Sequence, residues 1–348
     1  MPLFKRSSGL FFCLLTAAAV LLTGITATAA EEPAAVATQA LIPGGQLFGV
    51  RLETDGIIVV STAPVETQHG RISPAAAAGL KAGDIILTVN GEAPQSVEQL
   101  SQWTTEAGGR ALTVEARRDG KTLTFSVTPA PDGDGHYRLG LWLRDSAAGV
   151  GTVTFIDPQT SLFGGLGHGI CDGETGVLLP VRRAEVTPAT VLDIQKGEKG
   201  TPGELIGALT GSEAGELYTN SYSGVFGKLT SLPEDLPAPI ETGTAKTGKA
   251  TIFCTLDGNG PQSYEIEIQR ITKGEGSKGK NMVIKVTDPA LLEKTGGIVQ
   301  GMSGSPIIQN GKLVGAVTHV LVNDPTKGYG ILIENMLTAT NIPLAKAS

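Results

Sequence analysis

Two short segments carry the residue types that nucleophilic chemistry needs. Gly301-Met302-Ser303-Gly304-Ser305-Pro306 sets a serine in a glycine-rich turn, just before the apolar run Pro306-Ile307-Ile308 and the hairpin turn Asn310-Gly311. Glycines at 301 and 304 let the backbone turn so that the N–H groups of Gly301 and Ser303 converge on one point, the arrangement that stabilises the oxyanion of an acyl-transfer intermediate. A hydroxyl is a poor nucleophile near neutral pH and needs a base. Of the four histidines, His69 and His136 fall in or beside a separate N-terminal module, which leaves His168, within Gly165-Leu166-Gly167-His168, and His319. His319 sits in an alternating apolar run and reads as a core or supporting residue. For an acid to orient the imidazole, Asp172 is near His168 in sequence and Asp288 lies fifteen residues before Ser303. Such an acid need only reach the ring in space, so spacing leaves the choice open. Both acids also have plain local readings: Asp288-Pro289-Ala290-Leu291 as a capped helix start, Asp172 as a turn residue before Gly173. Ser305 reads as a packing residue. Cys171 follows His168 by three, but no second Cys/His pair stands at ligand spacing, so neither a metal nor a cofactor is expected.

The elements that must position these groups are short. The chain has 348 residues, 41 % apolar, 18 % charged and 5 % aromatic, with 47 Gly and 20 Pro. That glycine and proline content implies many tight turns, as in mainly β folds, and excludes a coiled coil, a helical bundle and a largely disordered chain. Apolar runs at 139–143, 150–156, 176–181, 249–255, 264–271, 282–286, 306–309, 313–319 and 330–333 read as strands of a sandwich or closed barrel. Ser263-Tyr264-Glu265-Ile266-Glu267-Ile268-Gln269 alternates apolar and polar residues as a half-buried strand does. Residues 182–250 give no more than barrel strands and loops. The formal charge is −7, and the densest basic stretch, 270–285, is a solvated loop that includes Glu275. With no basic surface to displace condensed counterions, nucleic acid is excluded as a partner.

Lys5 and Arg6, the apolar run Leu10–Ile25 and the small residues Ala27-Thr28-Ala29-Ala30 describe an export signal over residues 1–30, either cleaved or kept as a membrane anchor. A linker at 31–40 follows. An exported chain with Cys171 and Cys254 has the thiols for one disulfide, which the sequence does not prove. From 41 to 131, β-like runs are punctuated by glycine. Within them, Ala75–Ala78 forms one helical turn stopped at Gly79, Asn90-Gly91 marks a hairpin, and Val97–Ala107 reads as a helix capped by Ser96. Asp132-Gly133-Asp134-Gly135 is the expected seam, with a second domain over 136–345.

Ser73-Pro74-Ala75-Ala76-Ala77-Ala78-Gly79-Leu80-Lys81-Ala82-Gly83-Asp84, with Ile85 to Gly91, resembles the core of a PDZ domain. That resemblance implies peptide binding by strand addition beside Phe48-Gly49-Val50, with the amides of Gly44 and Gly45 cradling a carboxylate or carbonyl. The second half, through Gly165-Leu166-Gly167-His168-Gly169-Ile170-Cys171-Asp172 and the stretch from Thr287 to Ile331 that holds Ser303, resembles the stage IV sporulation protein B peptidases, PDZ-bearing serine proteases of spore-forming bacteria. The resemblance implies a chymotrypsin-like double β-barrel with Ser303 as nucleophile, His168 as general base, Asp288 as the acid, and Gly301 and Ser303 as the oxyanion hole. It further implies sporulation signalling in the space between the two forespore membranes. There the enzyme would cut a membrane-bound regulator of an intramembrane metalloprotease and so activate a late sigma factor, with its own N-terminal region as a second substrate. Met302 stands where trypsin-like zymogens carry an Asp, so activation by a new N-terminus is not expected. The readings that compete are a non-catalytic PDZ adaptor and a broad envelope quality-control protease.

Overall fold

A computed structural model describes residues 39–233, 235–272, 274 and 279–340. The export signal and most of the linker lie outside them. Among the described residues no helix is long and apolar enough to cross a membrane.

Three main strand systems are present among the described residues, besides two small two-stranded sheets. The C-terminal one is a closed six-stranded barrel of Gly248–Thr255, Pro261–Ile271, Met282–Val286, Lys327–Leu332, Lys312–Val320 and Pro306–Gln309. Its strands follow the alternation of the sequence. In Pro261–Ile271 the side chains of Tyr264, Ile266 and Ile268 are buried while Glu265 and Glu267 face solvent. Removing each such aliphatic side chain from water contributes roughly 1.5–3 kcal/mol. The inward set packs with Ile252, Ile284, Met302 and Ile307 into one core.

The second barrel closes in a way the sequence hides. Leu141–Ile156 pairs with Leu162–Gly165, which pairs with Gly224–Leu229. That strand pairs with Gly215–Ser221, and Gly215–Ser221 with Val181–Gln195. Val181–Gln195 pairs with Leu47–Thr62, which returns to Leu141–Ile156 and completes the ring. The strand Leu47–Thr62 therefore belongs to the barrel through its first half, Leu47–Thr54, and not to a preceding domain.

The PDZ core begins where that strand leaves the barrel. Its second half pairs with Ile85–Val89, which continues through Leu112–Arg118 to Lys121–Val127. Helices α1 (Pro74–Ala78) and α2 (Val97–Ala107) cover this sheet. The local signals hold as expected: Gly79 ends α1 at φ +100°, and Asn90 and Gly91 turn at φ +54° and +86°. The Ser96 side chain accepts the Gln99 amide at 3.2 Å, a cap that typically contributes about 1 kcal/mol. One charge pair escaped the sequence reading. Asp84, fully buried, receives two hydrogen bonds from Arg118 at 2.6 and 2.7 Å and a third from the Lys81 amide at 2.9 Å.

The seam expected at 132–135 falls within a pair of short strands. Those residues form a turn between the short paired strands Ala130–Pro131 and Tyr137–Arg138, and Leu139 just beyond them is buried in the PDZ core. The chain passes from module to barrel near Asp145, whose carboxylate accepts the Val97 amide of α2 at 2.8 Å. Both crossing strands show a break in register there, between Arg144 and Ser146 opposite Ile58 and Glu53. The PDZ core is thus an insertion between two neighbouring strands of the barrel.

Candidate active site

Ser303 and His168 line one cleft of about 610 Å³ between the barrels, together with His319. The nucleophile turn is clamped by the strand Leu141–Ile156. The Thr152 amide donates to the Ser303 carbonyl at 2.9 Å, the Thr152 hydroxyl to the Gly301 carbonyl at 2.8 Å, and the Thr154 hydroxyl to the Gly304 carbonyl at 2.8 Å. Gly304 must be glycine: its φ is +96°, and a Cβ there would collide with the Thr152 carbonyl. Met302 is fully buried in the C-terminal barrel core, so the residue before the serine anchors the turn. Ser305 is also fully buried, with its hydroxyl facing no partner. Among the described residues the amides of Gly301 and Ser303 make no hydrogen bond, so both donors remain for an oxyanion.

His168 follows the strand Leu162–Gly165 through two left-handed residues, Leu166 at φ +62° and Gly167 at +66°, which swing the imidazole into the cleft. Asn220 braces Ile170, two residues on, accepting its amide at 2.8 Å and donating to the Ile170 and Leu179 carbonyls at 2.7 and 2.9 Å. His168 Nδ1 lies 2.9 Å from the Gly169 carbonyl. A carbonyl only accepts, so Nδ1 carries the proton and Nε2 keeps its lone pair, the form a general base requires. Burial pushes the His168 pKa below the usual histidine value, opposed by the Gly169 hydrogen bond. The ring is therefore neutral near pH 7. The Ser303 hydroxyl donates to the Thr318 carbonyl at 2.7 Å and must rotate away to give its proton to an imidazole.

Neither candidate acid stands at His168. Asp288 is the N-cap of α3 (Pro289–Thr295): one carboxylate oxygen accepts the Ala290 and Leu291 amides at 2.9 and 3.1 Å, the other the Glu265 amide at 3.2 Å. It does not line the cleft. Asp288, expected to orient His168, is placed in this structure at the start of α3. Asp172 is buried, paired with Arg144 and accepting from the Thr175 amide and hydroxyl, each at 2.8 Å. What lies against His168 instead is His319, with ring centroids 4.7 Å apart and planes tilted 36°. The sequence reads His319 as a core or supporting residue, because strand alternation alone does not show which side chain ends in a cleft.

The segment expected to line the peptide groove of the PDZ module is a strand of the barrel. The Gly44 and Gly45 amides donate to the Thr154 and Val153 carbonyls at 2.9 and 2.8 Å, so they cradle no ligand. Phe48 and Val50 are buried in the N-terminal barrel, Phe48 edge-on to Phe163 at 5.9 Å, and Gly49 packs against Leu209. Alternating apolar residues beside a glycine turn suit a barrel strand as well as a groove, and here the barrel takes them.

Cys171 and Cys254 are not joined in a disulfide; Cys171 borders the cleft, and Cys254 is buried in the other barrel, where desolvation pushes its thiol up to about 12. Asp132, Asp134 and His136 bring ligand-type atoms within 4.8 Å of one another at the surface, but Asp132 already binds Arg138 at 3.0 Å.

The family model described as SpoIVB peptidase S55 matches residues 135–337, more than half of the chain. The chain belongs to the SpoIVB peptidase S55 family. A PDZ-domain model matches residues 71–118, within the inserted module. The putative zinc metalloprotease LL2128 of Lactococcus lactis subsp. lactis (strain IL1403) is 40 % identical over 83 residues, 24 % of this chain and 19 % of that protein's length. The chain thus spans less than a fifth of that relative. Among solved structures, the PDZ domain of the SdrC-like protein Lmo2051 from Listeria monocytogenes is 26 % identical, covering 26 % of this chain and 90 % of that one with a TM-score of 0.22. The Rv3671c protease from M. tuberculosis in its active form is 17 % identical, covering 56 % of this chain and 75 % of that one with a TM-score of 0.32. Within the SpoIVB peptidase S55 match fall His168, Asp172, Asp288, Ser303 and His319, whereas Gly44 to Val50 lie before it.

Proposed function

We propose that the chain is an exported serine endopeptidase. The observation that carries this reading is the shared cleft: a serine on a clamped turn, two unengaged amides beside it, and a neutral, half-buried histidine with Nε2 available. Ser303 Oγ attacks the substrate carbonyl as its proton passes to His168 Nε2, and the Gly301 and Ser303 amides hold the resulting oxyanion. The imidazolium then protonates the leaving amine, and water, deprotonated in turn by His168, releases the acyl group. A positioned general base contributes typically about 10²–10⁴ in rate, and one oxyanion donor about 10²–10³.

The family supports a finer reading. The substrate is a membrane-associated regulatory protein of sporulation, whose cleavage releases an intramembrane metalloprotease and so a late sigma factor. The site of action is the space between the forespore membranes. The chain's own N-terminal region is a second substrate. Cut sites mapped by mass spectrometry for the full chain and for Ser303→Ala test chemistry and substrate together. The wild type gives cuts in the regulator and near its own N-terminus that Ser303→Ala does not. Equal cutting by both proteins would refute the assignment.

A further inference from the structure

We propose that Arg144 is a positioning residue for the general base: its pairing with the buried Asp172 sets the loop after His168, and that loop sets the backbone carrying the imidazole. The proposal rests on the reading of Ser303 and His168 as nucleophile and base. Residues 172–176 form a turn built around the Asp172 carboxylate, which is 1 % exposed. One of its oxygens accepts the Thr175 amide and hydroxyl, each at 2.8 Å, and the Glu174 amide at 3.2 Å. The other accepts from the Arg144 guanidinium. Burial pushes the Asp172 pKa up, but the Thr175 hydrogen bonds and the Arg144 charge outweigh it and hold the carboxyl below its ordinary value. An ionised carboxylate in such a place needs a cation, and Arg144 is the one that the described residues supply.

A short chain of contacts leads from this pair to His168. The turn closes two paired limbs: the Asp172 amide donates to the Val177 carbonyl at 2.8 Å, and the Leu179 amide to the Ile170 carbonyl at 3.0 Å. Cys171 and Leu178 stand opposite each other between these bonds. The Leu178 side chain then lies on Gly169, where an added Cβ would collide with it and with the Ser221 carbonyl. Gly169 follows His168, so the place of Leu178 fixes the peptide next to the imidazole. The loop is held from outside by the two strands that cross between module and barrel. Arg144 stands on Leu141–Ile156, opposite Ile58, and the Asp55 amide of Leu47–Thr62 donates to the Pro180 carbonyl at 3.0 Å. Neither Arg144 nor Asp172 lines the cleft that holds Ser303, so the pair acts through the loop alone. Without the Arg144 charge the buried carboxylate is left unpaired, the turn opens to hydrate it, and Leu178 leaves Gly169.

The test uses the full chain and three variants: Arg144→Met, a double variant of Arg144→Met with Asp172→Asn, and Leu178→Ala. The double variant removes both charges and keeps a side-chain oxygen for the Thr175 and Glu174 donors. Turnover of a peptide carrying a mapped cut site gives kcat and KM, a fluorophosphonate probe gives the rate of Ser303 labelling, and thermal melting shows which variants are folded. Arg144→Met should lower kcat and the labelling rate together, by about 10- to 100-fold, the cost of a misplaced catalytic group. KM should change little, and the double variant should recover most of the loss. Leu178, half-buried and outside the charge pair, supplies an independent check: Leu178→Ala should stay folded and lower both rates with KM little changed. Wild-type rates in folded Arg144→Met would overturn the proposal. So would a rise in KM at constant kcat, or a folded double variant no better than the single one. Should Arg144→Met not fold, Leu178→Ala decides, and wild-type rates there would overturn the proposal as well. If the wild type labels no faster than Ser303→Ala, the peptidase reading itself falls and the positioning role with it. An active wild type with three indifferent variants removes the positioning role alone.

Discussion

The PDZ module and the N-terminal barrel share two strands yet are encoded in different ways. The module is one continuous stretch whose turns and caps are local: Gly79, Asn90-Gly91 and Ser96 each act within a few residues of themselves. The barrel is discontinuous. Its strand Leu47–Thr62 finds one neighbour at 141–156 and the other at 181–195, with the whole module in between. Adjacent residues on the crossing strand even serve different cores, Ile57 and Val59 facing the module while Ile58 faces the barrel. The module is therefore built into the peptidase rather than hung from it, and the strand Leu141–Ile156 that leaves it goes on to clamp the nucleophile turn through Thr152 and Thr154.

Two deletions separate these cases with the largest expected effect. Removing 41–131 takes Leu47–Thr62 out of the barrel, and the product should show neither cooperative melting nor Ser303 labelling. Replacing Gly56–Leu143 with an Asn-Gly turn keeps Glu53 opposite Ser146 and leaves Arg144 to neutralise Asp172. That protein should melt cooperatively and still take the fluorophosphonate probe. The reverse outcome, activity in the first and collapse in the second, would restore a separate N-terminal PDZ domain ending near 131.

A smaller perturbation probes the module from inside. Asp84→Ala removes the hydrogen bonds that the buried carboxylate accepts from the partly exposed Arg118, a type of change that costs about 1.5–3 kcal/mol. Chemical denaturation should show that loss. Because the crossing strands couple the two cores, the barrel transition should move with it; a barrel transition that stays fixed would show that the shared strands do not transmit stability.

How much of this was legible follows the same division. The Ser303 turn and the PDZ turns could be read because their glycines and caps act over a handful of residues. Gly44 to Val50 could not be assigned, since an alternating apolar strand after a glycine turn is the same pattern in a peptide groove and in a barrel wall, and its partners lie about a hundred residues away. The sequence offered two roles for Asp288, and the local one is visible in the three amides that donate to the carboxylate. His319 carried no sequence signal beyond alternation. Only closure of the barrels brings it to His168.

Acid should act on the site before it acts on the module. His168 and His319 are both shifted below the ordinary histidine value by burial, His319 to about 4. An unfolded chain takes up these protons near pH 6.5, so between there and pH 4 it binds more protons than the native state, and stability falls as pH falls through that window. Melting temperature measured from pH 7 to pH 4 should decline. His319→Phe should flatten part of that decline, because the ring it introduces does not titrate. In kcat/KM, protonation of the free enzyme's base should set an acid limb below pH 6.5. A limb above that value would mean that His168 is not held in the desolvated state described.

The smallest effect distinguishes a cap from a catalytic acid. If Asp288 does no more than start α3, Asp288→Ala should cost about 1 kcal/mol of stability, and Asp288→Asn, whose side-chain oxygen still accepts from Ala290 and Leu291, only a few tenths. Neither should shift kcat more than a few-fold once the protein is folded. An acid that orients a catalytic histidine behaves differently: replacing it with its amide leaves the geometry intact and lowers kcat by about 10⁴. A folded Asp288→Asn protein with activity reduced on that scale would mean that the carboxylate leaves the helix cap and reaches His168 in the working enzyme.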